Sequence, residues 1–141
     1  MVQDNIIQLN LPANFKHLNV LSACIASVLE RVENLREKEA LVYNIQLAVQ
    51  EACTNIVRHA YAQKQEGRIK ATITLEDSPQ RFIIDLIDTG TPFVRAKDRC
   101  PNLDEPQIHG YGLFLMRQLL DEVNYISDQR NNHWHLVKVL Q

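Results

Sequence analysis

The sequence predicts an α+β domain in which a mainly antiparallel sheet carries helices on one face. Three observations lead there. Several short segments alternate apolar and polar residues with the period of a half-buried strand. Three longer segments repeat apolar residues at helical spacing. The two kinds follow one another as β-α-α-β-β-loop-α-β-β, a grouping that favours hairpins covered by helices. At 141 residues the chain has the length of a single domain, residues 1–141, and 45% hydrophobic residues supply one core.

Ile7, Leu9 and Leu11 alternate with polar neighbours, so a first strand runs over Ile6 to Leu11. Pro12-Ala13-Asn14 leads into a helix from about Phe15 to Val32, with Leu18, Leu21, Ile25, Val28 and Leu29 on one face. A second helix spans about Lys38 to Tyr61, its buried stripe formed by Leu41, Ile45, Ala48, Ala52 and Ile56. Gln63 to Gly67 is polar and reads as a loop. Ile69, Ala71, Ile73 and Leu75 alternate with polar residues, Asp77-Ser78-Pro79-Gln80 has turn composition, and Arg81 to Ile87 is a further strand; the pair predicts an antiparallel hairpin. Thr89 to His109 holds three prolines and no period. Loops of this length in compact domains are uncommon and often functional, so residues 91–109 are expected to form a lid. Gly112 to Glu122 is a third helix with Leu113, Met116, Leu119 and Leu120 inward. Val123 to Ser127 and Trp134 to Leu140 are the last strands, joined by a turn at Gln129 to Asn132.

Composition removes several classes. Fifteen Lys+Arg against seventeen Asp+Glu give a net charge of -2, which offers no basic face for direct nucleic-acid binding. No run of 18 apolar residues exists, and Met1 to Asn5 lacks the features of a signal peptide, so no membrane contact is expected. Cys24, Cys53 and Cys100 are odd in number, widely spaced and without a C-x-x-C pair. They predict neither a disulfide framework nor a zinc site, and a reducing, cytoplasmic compartment. The five histidines, His17, His59, His109, His133 and His135, show no metal-ligand spacing; His133 and His135 share one face of a strand, read as a polar strand face.

Three constellations carry chemistry. In Glu51-Ala52-Cys53-Thr54-Asn55, Glu51 and Asn55 stand four apart, so a helix brings both side chains to one face. A carboxylate and an amide carbonyl there suit a general base and an oxygen ligand for Mg²⁺; the plain alternative is a solvated helix face. Asp88-Thr89-Gly90-Thr91-Pro92-Phe93 follows an apolar strand. An Asp at a strand end can accept a hydrogen bond from the exocyclic amine of a base, and the following glycine admits close backbone approach; otherwise Asp88 bonds its own turn. Gly110-Tyr111-Gly112-Leu113 opens a helix, where free amides and the macrodipole attract phosphate, although glycine is also common before helices.

In this order the three strings, "EACTNIVRHAY", "DTGTPF" and "GYGLFLMRQLLDEVNY", resemble the N, G1 and G2 boxes of the GHKL-type (Bergerat) ATP-binding fold. They are most similar to its small single-domain branch, the bacterial anti-sigma-factor serine/threonine kinases. The resemblance implies a two-layer α/β sandwich with a mainly antiparallel, mixed sheet and ATP held between helices and lid. It implies Glu51 as the catalytic residue, either general base or the group that orients the attacking hydroxyl, Asn55 as an oxygen ligand to Mg²⁺, and Asp88 on the adenine amine with Gly90 beneath the base. Gly110, Tyr111, Gly112 and Leu113 would face the nucleotide, and Arg95, Lys97 and Arg99 of the lid would meet phosphate charge or water. The reaction implied is transfer of the γ-phosphoryl of ATP to a serine of an STAS-domain anti-anti-sigma protein, with a sigma factor as possible second client and a possible homodimer. Two positions depart from the family pattern. His109 replaces a frequent glycine, and Asn131-Asn132-His133-Trp134 replaces a G-T-T-like segment. These departures keep open an alternative, a non-catalytic nucleotide-sensing module that sequesters a client.

Overall fold

The computed structural model describes residues 5–61, 66–92, 108–128 and 130–140, of 108–110 the backbone alone. The elements run β1 (Ile6–Pro12), a 3₁₀ turn (Phe15–His17), α1 (Leu18–Glu30), α2 (Lys38–Asn55), a π turn (Ile56–Ala60), β2 (Arg68–Asp77), β3 (Gln80–Asp88), α3 (Ile108–Leu119), β4 (Glu122–Ser127) and β5 (Asn132–Val139). The expected order is therefore observed. The five strands form one sheet in the order β1-β2-β3-β5-β4, and all four pairings are antiparallel.

Period and capping explain the helices. α1 buries Leu18, Leu21, Ile25, Val28 and Leu29, the five residues of its apolar face. Asn14 opens the segment by accepting the His17 N–H on its side-chain oxygen at 3.1 Å, which satisfies one otherwise orphan donor. Lys38 Nζ donates to the carbonyls of Glu30 and Val32 at 2.7 and 2.9 Å, so the first residue of α2 closes the end of α1. α2 buries Ile45, Ala48, Val49, Ala52, Cys53 and Asn55. Asn55 is the one polar side chain in that set.

Pairing explains the two sheet faces. Ile84 stands opposite Leu136, Leu86 opposite Trp134 and Asp88 opposite Asn132. Directly opposed residues share a face, and this face turns toward the helices: Ile84, Leu86, Trp134 and Leu136 are all at most 1% exposed. Asp88 and Asn132 continue that apolar row and end it in two buried polar groups. Asp85 opposite His135 and Ile87 opposite His133 belong to the other face, away from the helices.

Two boundaries differ from the sequence reading. α2 gives way at Asn55 to a π turn, closed by the Tyr61 N–H to the Ile56 carbonyl at 3.1 Å. α3 begins at Ile108, ahead of Gly112, so His109 and Gly110 lie in its first turn. Helix propensity places Gly poorly inside a helix, which is why the sequence alone set the start later. The lid expected over 91–109, with Arg95, Lys97 and Arg99, falls mainly outside the described residues, as do Cys100 and most of the loop expected at Gln63 to Gly67.

Candidate active site

The last two turns of α2 with the π turn after it, and the first turns of α3, form the walls of a cavity of about 490 Å³. Glu51, Thr54, Asn55 and Arg58 line it from one side, and Tyr111, Gly112, Phe114 and Leu115 from the other. Glu51 and Asn55 reach it together because a helix returns to the same face after four residues. Gly112 makes the approach possible. A Cβ there would lie 2.9 Å from Glu51 Oε2 and 4.0 Å from Asn55 Oδ1. Any side chain at Gly112 would therefore push the Glu51 carboxylate out of place.

Asn55 is 5% exposed, and its Nδ2 is buried with no hydrogen-bond partner among the described residues. An unsatisfied buried amide costs about 1–3 kcal/mol. Such a group in a native protein calls for an explanation, and an ordered water, an ion or a ligand supplies the partner. Set beside a carboxylate on the wall of an open cavity, the amide fits a polar ligand, and turned about its axis it offers a carbonyl oxygen to a hard cation such as Mg²⁺.

The Asp88 end of β3 is built separately. Asp88 is 2% exposed, and its Oδ1 accepts the Gly90 N–H at 2.9 Å and Asn132 Nδ2 at 2.7 Å. Burial pushes the carboxyl above its ordinary value, and these two hydrogen bonds pull it partly back. Asn132 also donates to the Gly90 carbonyl at 2.8 Å and accepts from Ser127 Oγ at 2.7 Å. Its amide is thus fully engaged in holding Asp88 and the turn after it. Asp88 does bond its own turn, yet it is also locked to β5. It lines a smaller cavity of about 230 Å³ with Tyr61, Thr89 and Asn131, so the structure brings Glu51, Asn55, Tyr111 and Gly112 together and leaves Asp88 and Gly90 outside that group.

Gly90 serves close approach. A Cβ there would meet the Ala60 carbonyl oxygen at 2.3 Å, and the next residue, Thr91, donates its N–H to the same carbonyl at 2.7 Å. The π turn thereby grips the segment after β3. Tyr61 adds to the grip. Its hydroxyl donates to the Arg68 carbonyl at 2.7 Å and accepts the Thr89 N–H at 3.0 Å, while its ring covers Gly67, where a Cβ would come within 2.3 Å. Leu113 is half-buried against the core, and Gly110 lies in the first turn of α3.

Sequence reasoning missed three contributors. Asn132 was visible only as part of a departure in the last hairpin, and its role needs the Asp88–Asn132 register. Arg58 reads as an ordinary helix cation, yet it lines the cavity and lies 5.6 Å over the Phe15 ring. Tyr61 reads as a packing residue, and its role needs the π turn.

Residues 11–138 match the family model of the histidine kinase-like ATPase domain. The chain belongs to that family. The matched span includes all three strings singled out in the sequence. Serine-protein kinase RsbW of Bacillus cereus (strain AH820) is 28% identical over 131 residues, 87% of this chain and 78% of that protein. Serine-protein kinase RsbW of Bacillus subtilis (strain 168) is 27% identical over 123 residues, 83% of this chain and 75% of that protein. Among solved structures, the RsbU and RsbW domains of Rv1364c from Mycobacterium tuberculosis superpose with a TM-score of 0.69 at 18% identity, over 96% of this chain and 32% of that one. The SiaB-SiaC complex from Pseudomonas aeruginosa gives 0.67 at 14% identity, over 96% of this chain and 90% of that one. At these identities the solved structures establish a shared fold. Among the described residues no helix is long and apolar enough to cross a membrane.

Proposed function

We propose that the protein is an ATP-dependent serine kinase of the anti-sigma-factor type. It transfers the γ-phosphoryl of ATP to a serine of an STAS-type anti-anti-sigma partner. The observation that carries this reading is the convergence of Glu51, the unpartnered Asn55 amide and the side-chain-free Gly112 on one cavity. The relatives named serine-protein kinase support the reaction type.

In this reading the serine hydroxyl approaches Glu51, whose carboxylate takes its proton as the new O–P bond forms. The bond between the γ-phosphorus and the bridging oxygen breaks, and ADP leaves with that electron pair. Mg²⁺, when bound, neutralises phosphate charge. Asn55 offers it an oxygen. Asp88 accepts from the adenine amine, held in position by Asn132 and Gly90. The N-terminal turn of α3, with Gly110, directs its dipole and free amides toward phosphate, Gly112 in the next turn leaves room beside Glu51, and Arg58 supplies a further positive charge at the cavity. Phosphorylation adds about -1.5 to -2 charges to the partner and breaks the interface. The kinase is then free to hold a second client such as a sigma factor. We place this cycle in the cytoplasm, with the kinase as a homodimer.

Incubation with Mg-ATP and the STAS partner tests this directly. Mass spectrometry should find one phosphoryl group on a partner serine, and Glu51→Ala should abolish it. Nucleotide binding without transfer in the unsubstituted protein would instead favour a non-catalytic module.

A further inference from the structure

The sheet face turned away from the helices carries a cluster that the nucleotide chemistry does not use. Asp85 on β3 faces β5, where His133 and His135 stand two residues apart and so point to the same side. His133 Nε2 lies 2.7 Å and His135 Nδ1 2.6 Å from the same oxygen, Asp85 Oδ1. One ligand atom from each residue lies within 4.8 Å of the other two. The rings are nearly perpendicular, at 89°, with centroids 6.2 Å apart, so the two nitrogens converge while the rings stay clear of each other.

We propose that Asp85, His133 and His135 bind one divalent transition-metal ion of the Zn²⁺ class, with water completing its coordination. Two imidazole nitrogens and one carboxylate oxygen suit Zn²⁺, Ni²⁺ or Cu²⁺ and do not suit Mg²⁺, which prefers oxygen ligands throughout. The donor set matches the three-ligand zinc sites that keep one position open. Tetrahedral bonds of about 2.0–2.1 Å place neighbouring donor atoms roughly 3.3 Å apart, so each nitrogen must move back from Oδ1 and the two nitrogens, now within 4.8 Å of each other, must settle at that same spacing. The side chains are 39%, 36% and 23% exposed for His133, His135 and Asp85, which leaves them free to make that adjustment and open to an ion from solvent. In the sheet, Thr72 stands opposite Asp85 and Asn124 opposite His135, while Ile87 and Ile126 stand opposite His133.

The position gives the ion a structural consequence. Asp85 precedes Asp88 by three residues on β3, and His133 directly follows Asn132 on β5. A metal joining β3 to β5 braces, from the outer face, the two strand ends whose inner face holds the buried Asp88–Asn132 pair.

The test uses tag-free, chelator-treated protein. Titration with Co²⁺ should give visible d–d bands of a low-coordinate nitrogen/oxygen site, and Zn²⁺ should displace Co²⁺ at one ion per chain. Zn²⁺ should raise the melting temperature, and excess Mg²⁺ should not compete. Loss of an outer partner of a metal ligand already weakens binding about 10–100-fold, so His135→Gln and Asp85→Asn, each losing a direct ligand, should weaken it by at least that much. Histidine ring NMR of the unsubstituted protein keeps the question open to refutation should a variant fail to fold. Zn²⁺ should move the His133 and His135 resonances and leave those of His17 and His59 in place. Binding that survives both substitutions, a thiolate charge-transfer band, or movement of other histidines instead would overturn the assignment, as would the absence of any binding.

Discussion

Gly112 separates two roles that a larger residue would merge. Its missing side chain leaves Glu51 where the cavity needs it, with 2.9 Å between the Cβ position and Glu51 Oε2. Gly112→Ala should leave the fold intact, since alanine is favoured over glycine in a helix by about 1 kcal/mol and the clash falls on the end of a flexible side chain. Phosphotransfer should nevertheless drop by about 100-fold, the scale of a misplaced reacting group. Melting temperature and turnover measured on the same preparation check both halves. Asp88 makes a second residue-scale case. Burial raises its carboxyl above the ordinary 3.8, so the folded chain keeps this proton to higher pH than the unfolded one. Its contribution to stability is greatest below the unfolded value and is lost as pH rises through the folded value. Asp88→Asn removes the buried charge while its carbonyl still accepts from Gly90 and Asn132. Unfolding against pH should show a flatter slope above 3.8 and no loss of stability at neutral pH. ATP affinity should fall by about 10–100-fold, because an amide donor would then face the adenine amine.

At the scale of elements, the π turn after α2 ties the end of that helix to the turn after β3. It carries the Ala60 carbonyl against Gly90 and the Tyr61 hydroxyl against Thr89 and Arg68. Tyr61→Phe removes the hydrogen bonds of its hydroxyl to the Arg68 carbonyl, the Thr89 N–H and the Thr89 hydroxyl, and keeps the ring on Gly67. It should cost about 1–2 kcal/mol in denaturant unfolding and weaken nucleotide binding through the Asp88 turn. This coupling also marks where the sequence stops being legible. The α1 and α2 stripes were readable because a helical period is local, and so was the meeting of Glu51 and Asn55. Strand alternation told which residues share a face of one strand. It did not tell which strand lies next to which. Asn132 on Asp88 and Asp85 on His133 and His135 depend on the β3–β5 pairing, between residues 44 to 50 positions apart. The orphaned Asn55 amide was likewise invisible, because hydrogen-bond accounts close only when the whole surroundings are known.

Over the whole molecule, the sheet places the proposed nucleotide site and the proposed metal site on opposite faces. The inner face ends in Asp88 and Asn132 and meets the helices that bear Glu51 and Asn55. The outer face carries Asp85, His133 and His135. This division predicts that Zn²⁺ and ATP stabilise the protein at separate sites, so that neither should displace the other in a thermal titration. In the proposed function, Asn55 serves nucleotide binding and Glu51 serves chemistry from one helix. Mg-ATP at 100 times its dissociation constant should stabilise the native state by about 2.7 kcal/mol. The most direct measurement follows this stabilisation and serine phosphorylation side by side in the unsubstituted protein, Glu51→Ala and Asn55→Ala. Glu51→Ala should show full stabilisation without transfer, and Asn55→Ala should lose both. Undiminished transfer by Glu51→Ala, or no nucleotide stabilisation of the unsubstituted protein, would contradict the proposed function.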